Sequence, residues 1–187
     1  RMILPHIARF LLWLGGWTAV GEKPVVRKAV LIAAPHTSNW DGFWAIVYKV
    51  YMGLEIRWFV KDSMFWFPLN VLLRINGAIP LDRKRAGSSV SQAIEAFDQY
   101  DDFYMGLAPE GTRSHTEQWK SGFYRIAEGA NVPVVLGFLD YGGKRLGLGP
   151  TITLTGDRDQ DMAIIESFYT SVSGRHPEKM GPIKLSR

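Results

Sequence analysis

His36 and Asp41 stand five residues apart in the run Pro35-His36-Thr37-Ser38-Asn39-Trp40-Asp41, directly after an apolar stretch of strand length. An imidazole next to a carboxylate is a general base. The carboxylate accepts from one ring nitrogen and fixes the tautomer, leaving the other nitrogen free to take a proton from an alcohol. The spacing sets a condition, because on a continuous helix five residues advance about 500° and the two side chains diverge by about 140°. They meet only if residues 37–40 form a turn and Asp41 opens the next helix. Thr37, Ser38 and Asn39 favour such a turn, and an acid at a helix start is electrostatically favourable. The same residues also fit a plain helix cap beside a structural histidine.

A second constellation, Pro109-Glu110-Gly111-Thr112-Arg113-Ser114, again follows an apolar run. A carboxylate, a flexible glycine, a hydroxyl and a guanidinium packed this tightly suit an anion site, with Arg113 as a phosphate fork. Downstream, Lys120-Ser121-Gly122 opens a helix, a natural place for a phosphate oxygen. A third, Gly77-Ala78-Ile79-Pro80-Leu81-Asp82-Arg83, ends in Arg83-Lys84-Arg85, three cations at a sheet edge. A surface loop with a Glu–Arg pair, and a solvated basic turn, are the ordinary readings of these two.

The elements that must position these groups are legible as alternation. Apolar runs at 29–34, 56–60, 78–81, 103–107 and 132–139 read as strands, with helical patterns between them at 42–52, 65–75, 88–100 and 122–130. Ser88 or Ser89 caps the third helix, whose stripe is Ala93, Ile94, Ala96 and Phe97. Strands that are apolar without interruption are covered on both faces, so the fold class is α/β: a single domain with a mostly parallel central sheet flanked by helices. Tyr141-Gly142-Gly143-Lys144 reads as a tight turn, which makes the last strand pair, running to about 155, an antiparallel hairpin near the C-terminus. A helix at about 161–173 and a polar tail follow. Both histidine and glutamate loops then lie at carboxyl ends of parallel strands, where α/β proteins carry their sites.

The chain has 187 residues, 47% of them hydrophobic and 21% charged, which excludes a disordered protein. Cysteine is absent, which removes disulfides, thiolate metal sites and a thiol nucleophile. A net charge of +4 gives mild attraction to phosphate or anionic lipid, far from the basic stripe of a nucleic-acid binder, so no nucleic-acid partner is expected. Neither a G-x-S-x-G elbow, a complete G-x-G-x-x-G, a phosphate-binding P-loop nor an H-E-x-x-H occurs. The four histidines are scattered without ligand spacing, so no metal is expected.

Near the amino terminus, Ile3, Leu4, Ile7, Phe10, Leu11, Leu14 and Trp17 recur at helical spacing beside Arg1, His6 and Arg9, and the first acid is Glu22. The longest uncharged stretch there has 11 residues, against about 20 for a membrane span. Arg9 and Pro5 make it a poor secretory signal. Residues 1–22 therefore read as an amphipathic helix that lies on a membrane surface or packs on the domain formed by residues 23–187.

Taken together, His36…Asp41, Gly77-Ala78-Ile79…Arg83, Glu110-Gly111-Thr112-Arg113-Ser114 and Val132-Pro133-Val134 resemble the ordered blocks of the glycerolipid acyltransferase superfamily, typified by bacterial 1-acylglycerol-3-phosphate acyltransferases. The first is that family's H-x-x-x-x-D box. The likeness spans roughly residues 28–140 and includes Lys120-x-Gly122. It implies His36 as general base, oriented by Asp41, with Arg83, Glu110, Gly111, Thr112, Arg113 and Lys120 holding a phosphate-bearing acceptor. It further implies a thioester co-substrate, acyl-CoA or acyl carrier protein, no bound cofactor, and residence as a peripheral or monotopic protein on the cytoplasmic face of the cell membrane.

Within that likeness the acceptor stays open among lysophosphatidate, glycerol-3-phosphate and a lyso-amino-acid lipid, because the surroundings of Asp41 are unusually aromatic. The run at 64–73, with Phe65, Trp66, Leu69 and Leu72, is the candidate acyl groove, or an ordinary buried helix. Two further classes compete: a non-catalytic lipid-binding protein, and a thioester or phosphate-ester hydrolase.

Overall fold

The computed structural model describes residues 3–82 and 89–186. Seven strands, β1 (Thr18–Val20), β2 (Lys28–Ala34), β3 (Ile56–Lys61), β4 (Ala78–Leu81), β5 (Phe103–Leu107), β6 (Val134–Asp140) and β7 (Arg145–Ile152), form one sheet in the order β1-β7-β6-β2-β5-β3-β4. Every pairing is parallel except the β6–β7 hairpin. The helices are α1 (Ile3–Leu14), α2 (Asn39–Met52), α3 (Leu69–Ile75), α4 (Ser89–Asp98), α5 (Gly122–Gly129) and α6 (Arg158–Tyr169).

The chain order fixes which helix lies where. The steps β2→α2→β3 and β3→α3→β4 move one way across the sheet, and β4→α4→β5 and β5→α5→β6 move back. Right-handed crossovers therefore place α2 and α3 on one face and α4 and α5 on the other. Alternation along β2 agrees. Ala29 and Leu31 join Ala8 and Leu12 of α1 and Val47 and Tyr48 of α2 in one cluster. Val30, Ile32 and Ala34 join Phe97 of α4, Phe123 of α5 and Ile165 of α6 in the other.

Several boundaries differ from expectation, four of them for a clear local reason. α2 begins at Asn39 because Ser38 caps it. Where a helix is expected over 65–75 only α3 forms, after a separate 3-10 turn at Asp62–Met64, because Pro68 disfavours helical geometry at Phe67. β6 starts at Val134, after Asn131 has turned the chain through positive φ. α6 starts at Arg158, capped by Asp157, whose carboxylate accepts from the amides of Asp159 and Gln160. β1, only three residues long, was not expected. The Ser88 cap lies outside the described residues.

The segment expected to be a polar tail is instead stitched to the loop after β5. The Trp119 amide donates to the Lys184 carbonyl at 2.6 Å and the Ser186 amide to the Trp119 carbonyl at 2.7 Å. Trp119 itself is buried.

α1 packs through Ala8 and Leu12, while the stripe read from the sequence points outward: Ile3 is 71% exposed and Trp13 72%, with Leu4, Ile7, Phe10 and Leu14 also exposed. Trp17, past the helix end, is buried. Among the described residues no helix is long and apolar enough to cross a membrane.

Candidate active site

β2 and β5 are neighbours in parallel register, Ile32 opposite Leu107, so the loops leaving their carboxyl ends emerge side by side. One carries His36 and the other Glu110. They are tied together where the His36 amide donates to Glu110 Oε1 at 3.0 Å.

The turn between β2 and α2 brings His36 back onto Asp41. Ser38 is the N-cap and Asp41 the third helical residue, and their side chains and amides form a reciprocal capping box. Asp41 Oδ2 accepts from the Thr37 and Ser38 amides, both at 2.7 Å, and lies 3.3 Å from His36 Nδ1. Its other oxygen, Oδ1, accepts from the Tyr141 hydroxyl at 2.8 Å. The condition set by the five-residue spacing is thus met with the helix starting two residues before Asp41, and one carboxylate serves as cap and as imidazole partner at once. Burial alone pushes the Asp41 carboxyl up, but the hydrogen bonds from His36, Ser38, Tyr141 and Thr37 outweigh it and hold the carboxyl below its ordinary value. Asp41 is 2% exposed and the His36 side chain 29%, so the carboxylate is anchored from beneath while the imidazole is partly accessible.

Glu110 is mostly buried. Its Oε1 is used by His36, whereas Oε2 is buried without a hydrogen-bond partner among the described residues. Burial pushes its carboxyl above the ordinary value, against the opposing pull of backbone amides and of His36. Gly111 sits at φ +64°, and a Cβ there would come within 2.9 Å of the Lys120 side chain, which therefore lies directly across the glycine. The Thr112 hydroxyl accepts from the Ser114 amide at 3.1 Å. Arg113 and Lys120 point to solvent, and among the described residues the Arg113 guanidinium has no protein partner. Arg83 lies outside the described residues, so its predicted role has no geometry here.

His36 borders two cavities. One, of about 30 Å³, has room for a water or two and is lined by Thr37, Glu110, Ser114 and Trp119, with Lys179 and Met180 from the C-terminal segment. The other, of about 230 Å³, runs between α2 and the sheet. Its walls are Gly42, Ala45 and Ile46 of α2 with Leu31, Ala33, Ile56, Trp58, Gly106 and Leu107 of the strands, and Lys49 closes the set. Asp41, Gly42, Ala45, Ile46 and Lys49 share one helix face, and the eight steps from Asp41 to Lys49 cover about 12 Å. Small residues make the room: a Cβ on Gly106 would sit 2.8 Å from Ile56 Cγ2. Lys49 donates to the Asn76 carbonyl and lies 4.9 Å over the Trp58 ring. Burial, with Arg57 nearby, pulls its ammonium below the ordinary range.

The apolar space beside the imidazole is therefore not built from the segment expected to form it. Phe65, Trp66, Leu69 and Leu72 line neither cavity at His36, and Trp66 and Leu72 are exposed. Their apolar run carries helical spacing with no signal for which side faces a cavity. Sequence reading missed Tyr141, Lys49 and Lys179 as neighbours of the site. The Ser38-x-x-Asp41 spacing is also a capping signature, a local clue beside the turn-forming Thr37-Ser38-Asn39 run that Asp41 turns back towards residue 38.

A family model described as Acyltransferase matches residues 18–135, a span holding both site loops. No curated protein matches. Among solved structures, the chain is similar to the 1-acyl-sn-glycerophosphate (LPA) acyltransferase PlsC from Thermotoga maritima, with a TM-score of 0.58 and 18% identity over 89% of this chain and 75% of that one. At that identity the likeness is one of fold.

Proposed function

The chain belongs to the acyltransferase family, and from that premise we propose that it moves a fatty acyl group from acyl-CoA or acyl carrier protein to the hydroxyl of a lysophospholipid, with 1-acylglycerol-3-phosphate as the acceptor. The observation that carries this reading is the buried Asp41 carboxylate held 3.3 Å from His36 Nδ1, with His36 lining an apolar cavity.

His36 Nε2 takes the hydroxyl proton as the acceptor oxygen attacks the thioester carbonyl. The tetrahedral oxyanion collapses, the C–S bond breaks, and the departing sulfur recovers the proton from the imidazolium. Asp41 holds the Nδ1–H tautomer and stabilises the imidazolium while it lasts. A positioned base supplies roughly 10²–10⁴-fold, so orientation and electrostatics supply the rest. Arg113 and Lys120, exposed beside the Glu110 loop, hold the acceptor phosphate, and by family likeness Arg83 assists.

The 230 Å³ cavity takes the acyl chain. An engineered apolar cavity of roughly 150 Å³ already holds benzene, so this one admits several carbons. The exposed stripe of α1 supports a peripheral position, because an apolar helix face of this kind suits the headgroup layer of a membrane, where a lipid acceptor resides.

The test is turnover of a labelled acyl thioester with lysophosphatidate, glycerol-3-phosphate and a lyso-amino-acid lipid supplied in parallel. Diacyl product from lysophosphatidate at the highest kcat/KM supports the reading, and faster acylation of a phosphate-free acceptor overturns the acceptor assignment. Arg113→Ala is expected to raise the acceptor KM roughly tenfold or more, the worth of a hydrogen bond to a charged group, while the thioester KM stays put. Ala45→Trp fills the cavity wall and is expected to shift the chain-length optimum downward. Each methylene excluded costs about 0.8 kcal/mol, or roughly fourfold in kcat/KM. An unchanged chain-length profile would place the acyl chain elsewhere.

A further inference from the structure

We propose that Tyr141 is a positioning residue for the His36–Asp41 pair, setting the carboxylate's orientation through a hydrogen bond from outside the site loops. This rests on the acyl-transfer reading for its kinetic consequence, although the geometry stands without it.

The two oxygens of Asp41 are served differently. Oδ2 is met by the Thr37 amide, the Ser38 amide and His36 Nδ1, all within five residues of it. Oδ1 has the Tyr141 hydroxyl at 2.8 Å, from a residue 100 positions away. A carboxylate held at one oxygen still rotates about its Cβ–Cγ bond, and torsions of this type are broad. Its plane is set when the second oxygen is held too. Tyr141 therefore decides whether the lone pairs of Oδ2 keep facing the imidazole.

Tyr141 is itself well held. It directly follows β6, and its amide donates to the Ser173 carbonyl at 2.8 Å. Its ring meets buried Trp17 edge to face, with centroids 4.9 Å apart, and Trp17 packs in turn on Trp44 of α2 at 5.4 Å. Arg175, from the C-terminal segment, adds a positive charge near the same hydroxyl, and its guanidinium lies 5.6 Å from the centre of Trp40. Burial and the neighbouring Asp41 push the phenol well above its ordinary value, so it remains a donor at any working pH. The Tyr141-Gly142-Gly143-Lys144 turn thus does more than connect β6 to β7.

The test is Tyr141→Phe, which keeps the ring on Trp17 and removes only the hydroxyl. We expect kcat to fall roughly tenfold or more, the scale of lost outer partners of a functional side chain, with both KM values within about twofold of the parent. In the ¹⁵N spectrum of labelled histidine, with the His36 signals identified by their loss in His36→Ala, the parent should show one tautomer and Tyr141→Phe a mixture. In a His36→Ala background Tyr141→Phe should cause no further loss, because the hydroxyl acts only through that imidazole. Tyr141→Leu removes the ring as well. A fall with Leu but not with Phe makes Tyr141 a packing residue and overturns the proposal, as does an additive loss in the His36→Ala background or an unchanged tautomer in Tyr141→Phe. Absence of acyl transfer in the parent would overturn the functional reading and leave the tautomer measurement to decide this one.

Discussion

His36→Ala is expected to lower kcat by roughly 10²–10⁴-fold, the contribution of a positioned general base, with the fold intact and acceptor binding retained. The side chain is 29% exposed, and among the described residues its side-chain partner is Asp41. The backbone link from its amide to Glu110 survives the change, and Asp41 keeps the Thr37, Ser38 and Tyr141 donors. Little stability is therefore at stake, and circular dichroism and the thermal midpoint should barely move. Rate and binding are separated by measuring turnover and lysophosphatidate affinity on the same sample. A protein that only binds lipid would show no difference between the two chains. A hydrolase would release free fatty acid without acceptor.

Asp41 is expected to answer in two ways, according to what replaces it. Asp41→Ala leaves the Thr37 and Ser38 amides and the Tyr141 hydroxyl without their acceptor and dissolves the capping box. Lost caps cost about 1 kcal/mol and each buried unsatisfied group about 1–3, so a loss on the order of 3 kcal/mol is expected from the denaturant midpoint. Asp41→Asn keeps the shape and loses the charge. The corresponding change in a Ser-His-Asp triad costs about 10⁴ in kcat, and a fall of that order is expected here with a smaller stability loss. The direction with pH follows from the depressed Asp41 value. The contribution of a carboxyl held below its unfolded value of about 3.9 is fully present above that pH and is lost as the pH falls through the folded value. The stability gap between the parent and Asp41→Ala should therefore be constant near neutrality and narrow below about pH 4.

The architecture was legible because its signals are periodic. Uninterrupted apolar strands alternating with helical stripes specify a covered parallel sheet, and the Gly-Gly turn specifies the hairpin. The two site loops were legible because their residue types are chemically unusual and follow strands. What stayed hidden has physical reasons. The apolar cavity is made by what is missing, the side chains of Gly42, Ala45 and Gly106, and absence leaves no periodic mark. The 64–73 run advertised a groove because hydrophobic spacing does not tell a face turned to solvent from one turned to a cavity, and Phe67, Val71 and Ile75 are exposed. The outward stripe of α1 shows the same ambiguity, since the helix anchors through Ala8 and Leu12 instead. Tyr141 and the segment at 183–186 reach the site by tertiary contact alone. The latter does so mainly through backbone hydrogen bonds to Trp119, which carry no side-chain signature, with the Ser186 hydroxyl accepting from the Ser121 amide.

The most direct measurement follows a labelled acyl chain supplied as a thioester to the purified protein, with and without lysophosphatidate in vesicles. Label entering diacyl phospholipid only when the acceptor is present, and only with His36 intact, is the predicted result. Label accumulating as free fatty acid without acceptor, or equal transfer by His36→Ala, would contradict the account.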